Sequence, residues 1–181
     1  FYKLMAKDLI IRGNSIYTIA DGPSWEDAEA NANKLGGHLV TISDEEENNF
    51  IQNKFTGNEY LNSKKYYNGV NVWNGYGAWT GLFYDFDKNK WINSDGESQN
   101  FFNWRDPDKV DYLPFVNQKE YGNTVTQITF TTNYPYVDDG EWQKSNNKVG
   151  SKSDGIAETK FIRRGDSAYV IVEGPSWEEA E

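Results

Sequence analysis

The sequence repeats itself once, at long range. Residues 10–29, IIRGNSIYTIADGPSWEDAE, return at 162–181 as IRRGDSAYVIVEGPSWEEAE, with 13 of 20 positions identical at an offset of 152. Solenoid units recur every ~20–50 residues, so a period of this length marks a duplicated whole domain. Three parts are expected: 1–11 as the end of a preceding unit or a linker, 12–162 as one complete domain, and 163–181 as the first strand and helix start of a second, truncated repeat. A unit of that size suits a single compact core.

Composition narrows what the unit can do. The chain carries 18 Lys+Arg against 28 Asp+Glu, a formal charge of −10. Phosphate backbones need clustered cations, so a nucleic-acid partner is not expected. No apolar run reaches the ~18–20 residues that cross a bilayer, so neither is membrane insertion. Cysteine is absent, which removes disulfides, thiol catalysis and thiolate metal sites together. Large rings are abundant instead, with 7 Trp, 12 Tyr and 10 Phe. They are expected to build the core and still leave aromatics for the surface.

Local patterns give an order of elements. Ser15–Ala20 alternates as a strand and closes at Asp21-Gly22-Pro23. Ser24 starts a helix with Asp27 in the capping-box position; Trp25, Ala28, Ala32 and Leu35 share one face, and Gly36-Gly37 stops it. After the extended link His38–Ile42, Ser43 is expected to open a second helix with Glu46 in the box position, burying Phe50, Ile51 and Phe55. Short strands follow at Ala78–Phe83, Trp91–Ile92, Thr124–Phe130, Gly140–Gln143 and Ile156–Ile162, and Ala168–Val172 opens the next repeat. Residues 58–78 and 93–123 are polar, aromatic and without period. Helices gathered before a series of strands predict an α+β fold with antiparallel sheets.

Trp25-Glu26-Asp27-Ala28-Glu29 with Leu35-Gly36-Gly37-His38-Leu39-Val40-Thr41-Ile42 resembles the helix-and-link signature of C-type lectin-like domains. Glu47-Asn48-Asn49-Phe50-Ile51, Ala78-Trp79-Thr80-Gly81-Leu82, Lys90-Trp91-Ile92-Asn93-Ser94-Asp95-Gly96, Phe102-Asn103-Trp104, Gly140-Glu141-Trp142 and Gly155-Ile156-Ala157-Glu158 are similar to later family segments, in the family's order. The resemblance implies two helices packed on small antiparallel sheets with a long irregular loop region. It also implies that Ala32 and Ala157 stand where relatives carry a linking disulfide, so that helix and last strand meet by packing alone.

The same resemblance implies a binding site in the long loop, where sugar-binding members hold calcium. Calcium takes six to eight oxygens, several of them anionic. Asp106-Pro107-Asp108, just behind Trp104, is a variant of the family's ligand triplet, and Glu120 and Asp138 are further acids. Metal candidates are therefore Asp106, Asp108, Glu120 and Asp138; ligand-binding candidates are Asp106, Asp108, Glu120, Tyr112 and Trp73. One departure opposes the ion: after Trp142 stand Gln143 and Lys144, an ammonium where a ligand acid belongs. Solvated acids flanking a turn are the competing reading. Asp85-Phe86-Asp87-Lys88-Asn89 has alternating acids but fails as an EF-hand, with Lys90 and Gly96 at the positions that need Gly and Glu. A charged turn ahead of Trp91 is expected there. The loop aromatics Tyr66, Tyr67, Trp73, Tyr76, Tyr112, Phe115, Tyr134 and Tyr136 suit sugar stacking, or fold the loops onto the core. His38, the only histidine, has no nucleophile beside it, and Arg164-Gly165-Asp166 matches a simple turn at Arg12-Gly13-Asn14.

These readings favour a non-enzymatic binding module at the cell surface or outside the cell, with a glycan or a surface protein as partner; calcium is a candidate cofactor, with solvated acids the favoured reading of its loop. A structural spacer or protein-interaction repeat without a sugar or calcium site is the alternative. A glycoside hydrolase ranks below both, because nothing in the sequence marks a carboxyl with a raised pKa. The tail strand, four residues beyond Ile162, is expected to form a hairpin and to compete with Ser15–Ala20 for the last strand, within a chain or between chains.

Overall fold

A computed structural model describes residues 9–58, 61, 77–104, 124–130, 140–146, 153–165 and 167–170. They form nine strands and two helices in the order β1 (Ile10–Arg12), β2 (Ser15–Ala20), α1 (Trp25–Lys34), β3 (His38–Leu39), α2 (Glu45–Phe55), β4 (Gly77–Asp85), β5 (Lys90–Asn93), β6 (Thr124–Thr129), β7 (Trp142–Asn146), β8 (Gly155–Arg164) and β9 (Ser167–Val170). The fold class is α+β, as expected. Strands run β1-β2-β8-β4-β6-β7 across the sheet, with β3 and β9 also on β8 and β5 on β4. Every pairing is antiparallel except β4 with β8, which are parallel at Trp79 and Gly155.

The first helix forms as its sequence predicts. Ser24 is the N-cap, its Oγ accepting from the Asp27 amide at 3.2 Å and donating to the Asp27 carboxylate at 2.7 Å. Ala28 and Ala32 are fully buried, with Trp25 and Leu35 packed beside them. Gly36 takes φ +80° at the stop. Gly37 must be glycine for another reason, since a side chain there would run into the Glu158 carbonyl. Glu29, in the middle of the helix, bonds both His38 Nδ1 at 2.8 Å and the Leu39 amide at 2.9 Å. One carboxylate thus bends the chain from α1 into β3.

The second helix starts one residue later than the sequence suggests. Asp44, not Ser43, is the N-cap, and Glu47, not Glu46, completes the box. Asp44 Oδ1 accepts from the Glu47 amide at 2.7 Å, while Glu47 Oε2 accepts from the Ser43 amide and hydroxyl at 3.0 and 2.9 Å. An aspartate caps as well as a serine, and the shift puts Glu47, only 4% exposed, on the buried face beside Ile51 and Phe55.

Two apolar clusters form the core. One holds Tyr17, Ile42, Ile51, Phe55, Leu82, Ile128, Trp142 and Ile156 among others; the second joins Ala28, Ala32, Leu39, Trp79, Val125 and Ala157. Ala32 and Ala157 therefore share one interior with Trp79, as the resemblance implies. Trp25 Nε1 donates to the Thr80 carbonyl at 2.7 Å and fixes α1 over β4.

Strand limits also differ from expectation. Ile10–Arg12, left outside any predicted strand, pairs with β2. Gly140 is a turn at φ +82°, and the strand starts at Trp142. The tail strand does not displace β2: β2 takes Gly155–Lys160 of β8 and β9 takes Phe161–Arg164, so the two occupy successive lengths of one strand.

Candidate functional site

Two segments outside the described residues adjoin one aromatic root. Trp104 precedes residues 105–123, and Gly140 to Trp142 follow residues 131–139. Trp104 and Trp142 form a parallel β-bridge, and the Trp142 amide donates to the Asn103 carbonyl at 2.7 Å. Asn48 of α2 sits beneath. Its Nδ2 donates to the Gly140 carbonyl at 3.1 Å, and its Oδ1 accepts from Trp142 Nε1 at 2.7 Å. Asn103 Nδ2 donates to the same Gly140 carbonyl at 2.9 Å. Being 3% exposed, Asn48 makes these bonds in a low-dielectric setting, where they hold geometry well.

Rings spread outward from this root. Trp104 lies 5.0 Å from Trp91, 5.9 Å from Phe102 in a stacked arrangement and 6.0 Å from Trp142. Phe101 meets Trp142 edge-on at 5.6 Å, and Tyr84 continues the row from Trp91 to Phe86. Phe102 is 40% exposed. It is the one open apolar face of the row, since Trp142 is buried and Trp91, Phe101 and Trp104 pack against the core.

A second feature involves the start of α2. A cleft of about 510 Å³ is lined by Gly37, His38, Thr41, Asp95, Glu97, Glu158 and Lys160, and one of about 270 Å³ beside it adds Arg12, Tyr17, Ser43 and Glu47. Burial pushes the Glu158 carboxyl above the usual range, and the nearby Glu47 adds to this; Ser15, donating at 2.7 Å, and Lys160 oppose it. Burial, Glu158 and Glu47 push the Tyr17 phenol well above its ordinary value, so it stays neutral while donating to Glu47 at 2.7 Å. Arg12 lies 3.8 Å from Glu47 and over the Phe50 ring. A carboxyl with a raised pKa is thus present, contrary to what the sequence alone marks. Its bonds tie β2 to β8, while those of Glu47 tie β2 to α2, so this pair works as a lock between elements. Among the described residues no group of three or more His, Asp or Glu can hold a metal ion.

The candidate ligands Asp106, Asp108, Tyr112, Glu120 and Asp138, with Trp73, lie outside the described residues, as do Tyr66, Tyr67, Tyr76, Phe115, Tyr134 and Tyr136. What is placed is their attachment: Asp106 follows Trp104 by two residues, and Asp138 precedes Gly140 by two. The Asp85–Asn89 stretch is the charged turn expected. Asp85 accepts from the Asp87 and Lys88 amides, and its bonds to Lys88 hold its carboxyl below the usual range. The sequence reading passed over Phe101, Phe102 and Asn48 as site residues; the Phe-Phe-Asn-Trp run next to an aperiodic segment was the available signal.

A family model described as the Lectin C-type domain matches residues 21–153. No curated protein matches the sequence. Among solved structures the chain is similar to the cow C-type carbohydrate-recognition domain of CD23, in the presence of a GlcNAc2Man3 oligosaccharide, at TM-score 0.56 and 16% identity over 85% of this chain and 94% of that one. It is similar to the Ca2+-independent C-type lectin SPL-2 from Saxidomus purpuratus at TM-score 0.55 and 21% identity, covering 84% and 91%. A calcium-independent type II antifreeze protein matches at TM-score 0.56 and 19% identity, covering 85% and 92%. At these identities the likeness is one of fold.

Proposed function

Because the chain belongs to the C-type lectin domain family, we propose that it is a non-enzymatic binding module that takes carbohydrate at the surface carried by the aromatic root, as one unit of a tandem array outside the cell. Domains of this family are generally binding modules. The observation that carries the reading is the bridge between Trp104 and Trp142, with Phe102 stacked on Trp104 and 40% exposed. It joins an exposed ring to the two places where the candidate ligand segments attach. The repeat at 162–181 supports the tandem arrangement, in which weak single sites gain avidity.

Calcium assistance is the finer part of the proposal. Asp106, Asp108, Glu120 and Asp138 would supply carboxylate oxygens of the kind calcium prefers. Lys144, two residues after Trp142, weakens that fit. Calcium-free binding through the rings is therefore the second reading, favoured by this lysine, and a Ca2+-independent C-type lectin is among the structural neighbours. A glycan array run with calcium and again with chelator separates the possibilities. Signal that chelator abolishes, and that Asp106→Asn with Asp108→Asn abolishes too, supports the calcium site. Signal that survives chelator but is lost in Phe102→Ala supports the ring surface. Flat arrays in both conditions sink carbohydrate binding and leave the spacer or protein-interaction repeat.

A further inference from the structure

Two hairpins in this chain are built alike. In the first, β1 and β2 pair Ile10 with Tyr17, Ile11 with Ile16 and Arg12 with Ser15. In the second, the far end of β8 and β9 pair Ile162 with Tyr169, Arg163 with Ala168 and Arg164 with Ser167. Each second pair is the first shifted by 152 residues, so the repeat of sequence is also a repeat of register. Both hairpins turn at a glycine with φ +60°, Gly13 and Gly165.

Their surroundings differ. Tyr17 is 1% exposed, its ring 5.5 Å from Phe50 of α2 and its hydroxyl bonded to Glu47 of the same helix. Ile10 packs against the main core. The counterparts Tyr169 and Ile162, cross-strand partners on one face, are 55% and 48% exposed. Contiguous large apolar side chains left in water mark a surface that takes cover from something. The first hairpin specifies what covers such a pair: a helix like α2, presenting a phenylalanine and a buried glutamate.

We propose that β8 is shared between two domains. Its first part, Gly155–Lys160, closes this domain against β2. Its last part, Phe161–Arg164, is the first strand of a following copy of the same domain, whose second helix covers Tyr169 and Ile162. The partner for this surface is thus a second copy of the domain in the same chain. Pairing with β2 runs to Ser15 and Lys160, the Phe161 amide donates to the Asn14 carbonyl at 2.8 Å, and pairing with β9 begins at Phe161 with Val170. No unpaired residue separates the two partners along β8, so no hinge lies between the domains. Successive binding surfaces are held at one angle and spacing. The inference rests on the tandem part of the functional reading and is independent of what the domain binds.

The chain supplies its own test. Residues 30–162 placed after Glu181 rebuild a second domain, because 162–181 already stand for 10–29. In that longer chain the amides of 167–170 should exchange about 100-fold more slowly than in the 181-residue chain. Tyr169→Ala should lower the melting temperature of the longer chain and leave that of the shorter one unchanged. With no native cysteine, spin labels at Lys54→Cys and its second-domain counterpart can report the inter-domain distance. One narrow distribution is expected, broadened by a four-residue Gly-Ser insertion between Lys160 and Phe161. Equal exchange in the two chains, or a distribution as broad without the insertion as with it, overturns the shared strand. A second check needs no added domain. Ile11→Arg, Asn14→Asp, Ile16→Ala and Thr18→Val convert residues 10–18 into 162–170. This variant should fold and keep its near-ultraviolet dichroism. An unfolded variant overturns the equivalence of the hairpins, and the tandem reading with it; a folded variant alongside unprotected amides overturns the shared strand alone.

Discussion

Ala32 of α1 and Ala157 of β8 lie in one apolar cluster, both without exposed surface, with Leu39 and Trp79 beside them. The helix that opens the domain and the strand that closes it are joined here by packing, at the two positions where the family resemblance places a sulfur bridge. Trp79 fills the space between layers, so two methyl groups suffice at the junction.

Replacing both by cysteine should restore the covalent link. Ala32→Cys with Ala157→Cys is expected to oxidise spontaneously and to stabilise the domain by about 2–4 kcal/mol. Thiol titration and urea unfolding, with and without reductant, check it. Thiols that stay free under oxidising conditions would contradict the juxtaposition.

Glu29→Ala removes the carboxylate that bonds His38 and the Leu39 amide. Bonds to a charged group each contribute about 1.5–3 kcal/mol, so stability should fall by about that much or more. Slower loss at Glu29→Gln, which can still accept from the Leu39 amide, would separate the bond from the charge. Urea midpoints measure both.

Asn48→Ala unpairs Trp142 Nε1 and removes one of the two side-chain donors to the Gly140 carbonyl. A buried donor without a partner costs about 1–3 kcal/mol. If the root positions the binding surface, ligand affinity falls together with stability; an unchanged affinity in the folded variant would detach the root from binding.

Glu158→Gln tests the lock by pH. The folded domain holds this carboxyl above its ordinary pKa of 4.5 through burial and Glu47. A raised folded pKa means that the native state binds the proton more tightly than the unfolded chain does. Stability is therefore lost as pH climbs from about that ordinary value through the raised one. Gln removes the penalty and can still accept from Ser15. The melting temperature should rise by about 2–4 °C at pH 7 and stay unchanged at pH 4. An equal gain at both pH values would assign the effect to packing.

Much of the framework could be read from particular residues. The Ser24 cap, the Ala28 and Ala32 face and the glycine stop are local signals, each decided within one or two turns of chain, and they fell where expected. The second cap slipped by one because Ser43 and Asp44 are both good caps with an acid three residues on. Burial of Glu47 against Tyr17 and Arg12, contacts from across the sheet, selects Asp44. Ile10–Arg12 went unrecognised as a strand because three residues carry too little period, and only pairing with β2 makes them one.

The site divides in the same way. Candidate acids and rings can be picked out by type and by neighbourhood to Trp104 and Trp142. Asn48 could not, since an asparagine on a helix says nothing of a tryptophan 94 residues away. Order along the chain, the limits of the first helix, the family and the duplicated hairpin were determined by sequence, because each depends on spacing between near neighbours. Which acids are buried, which ring stays open at the root and where β8 passes from one partner to the next were decided by tertiary structure. Those outcomes depend on contacts between distant residues, and long-range burial sets their energies.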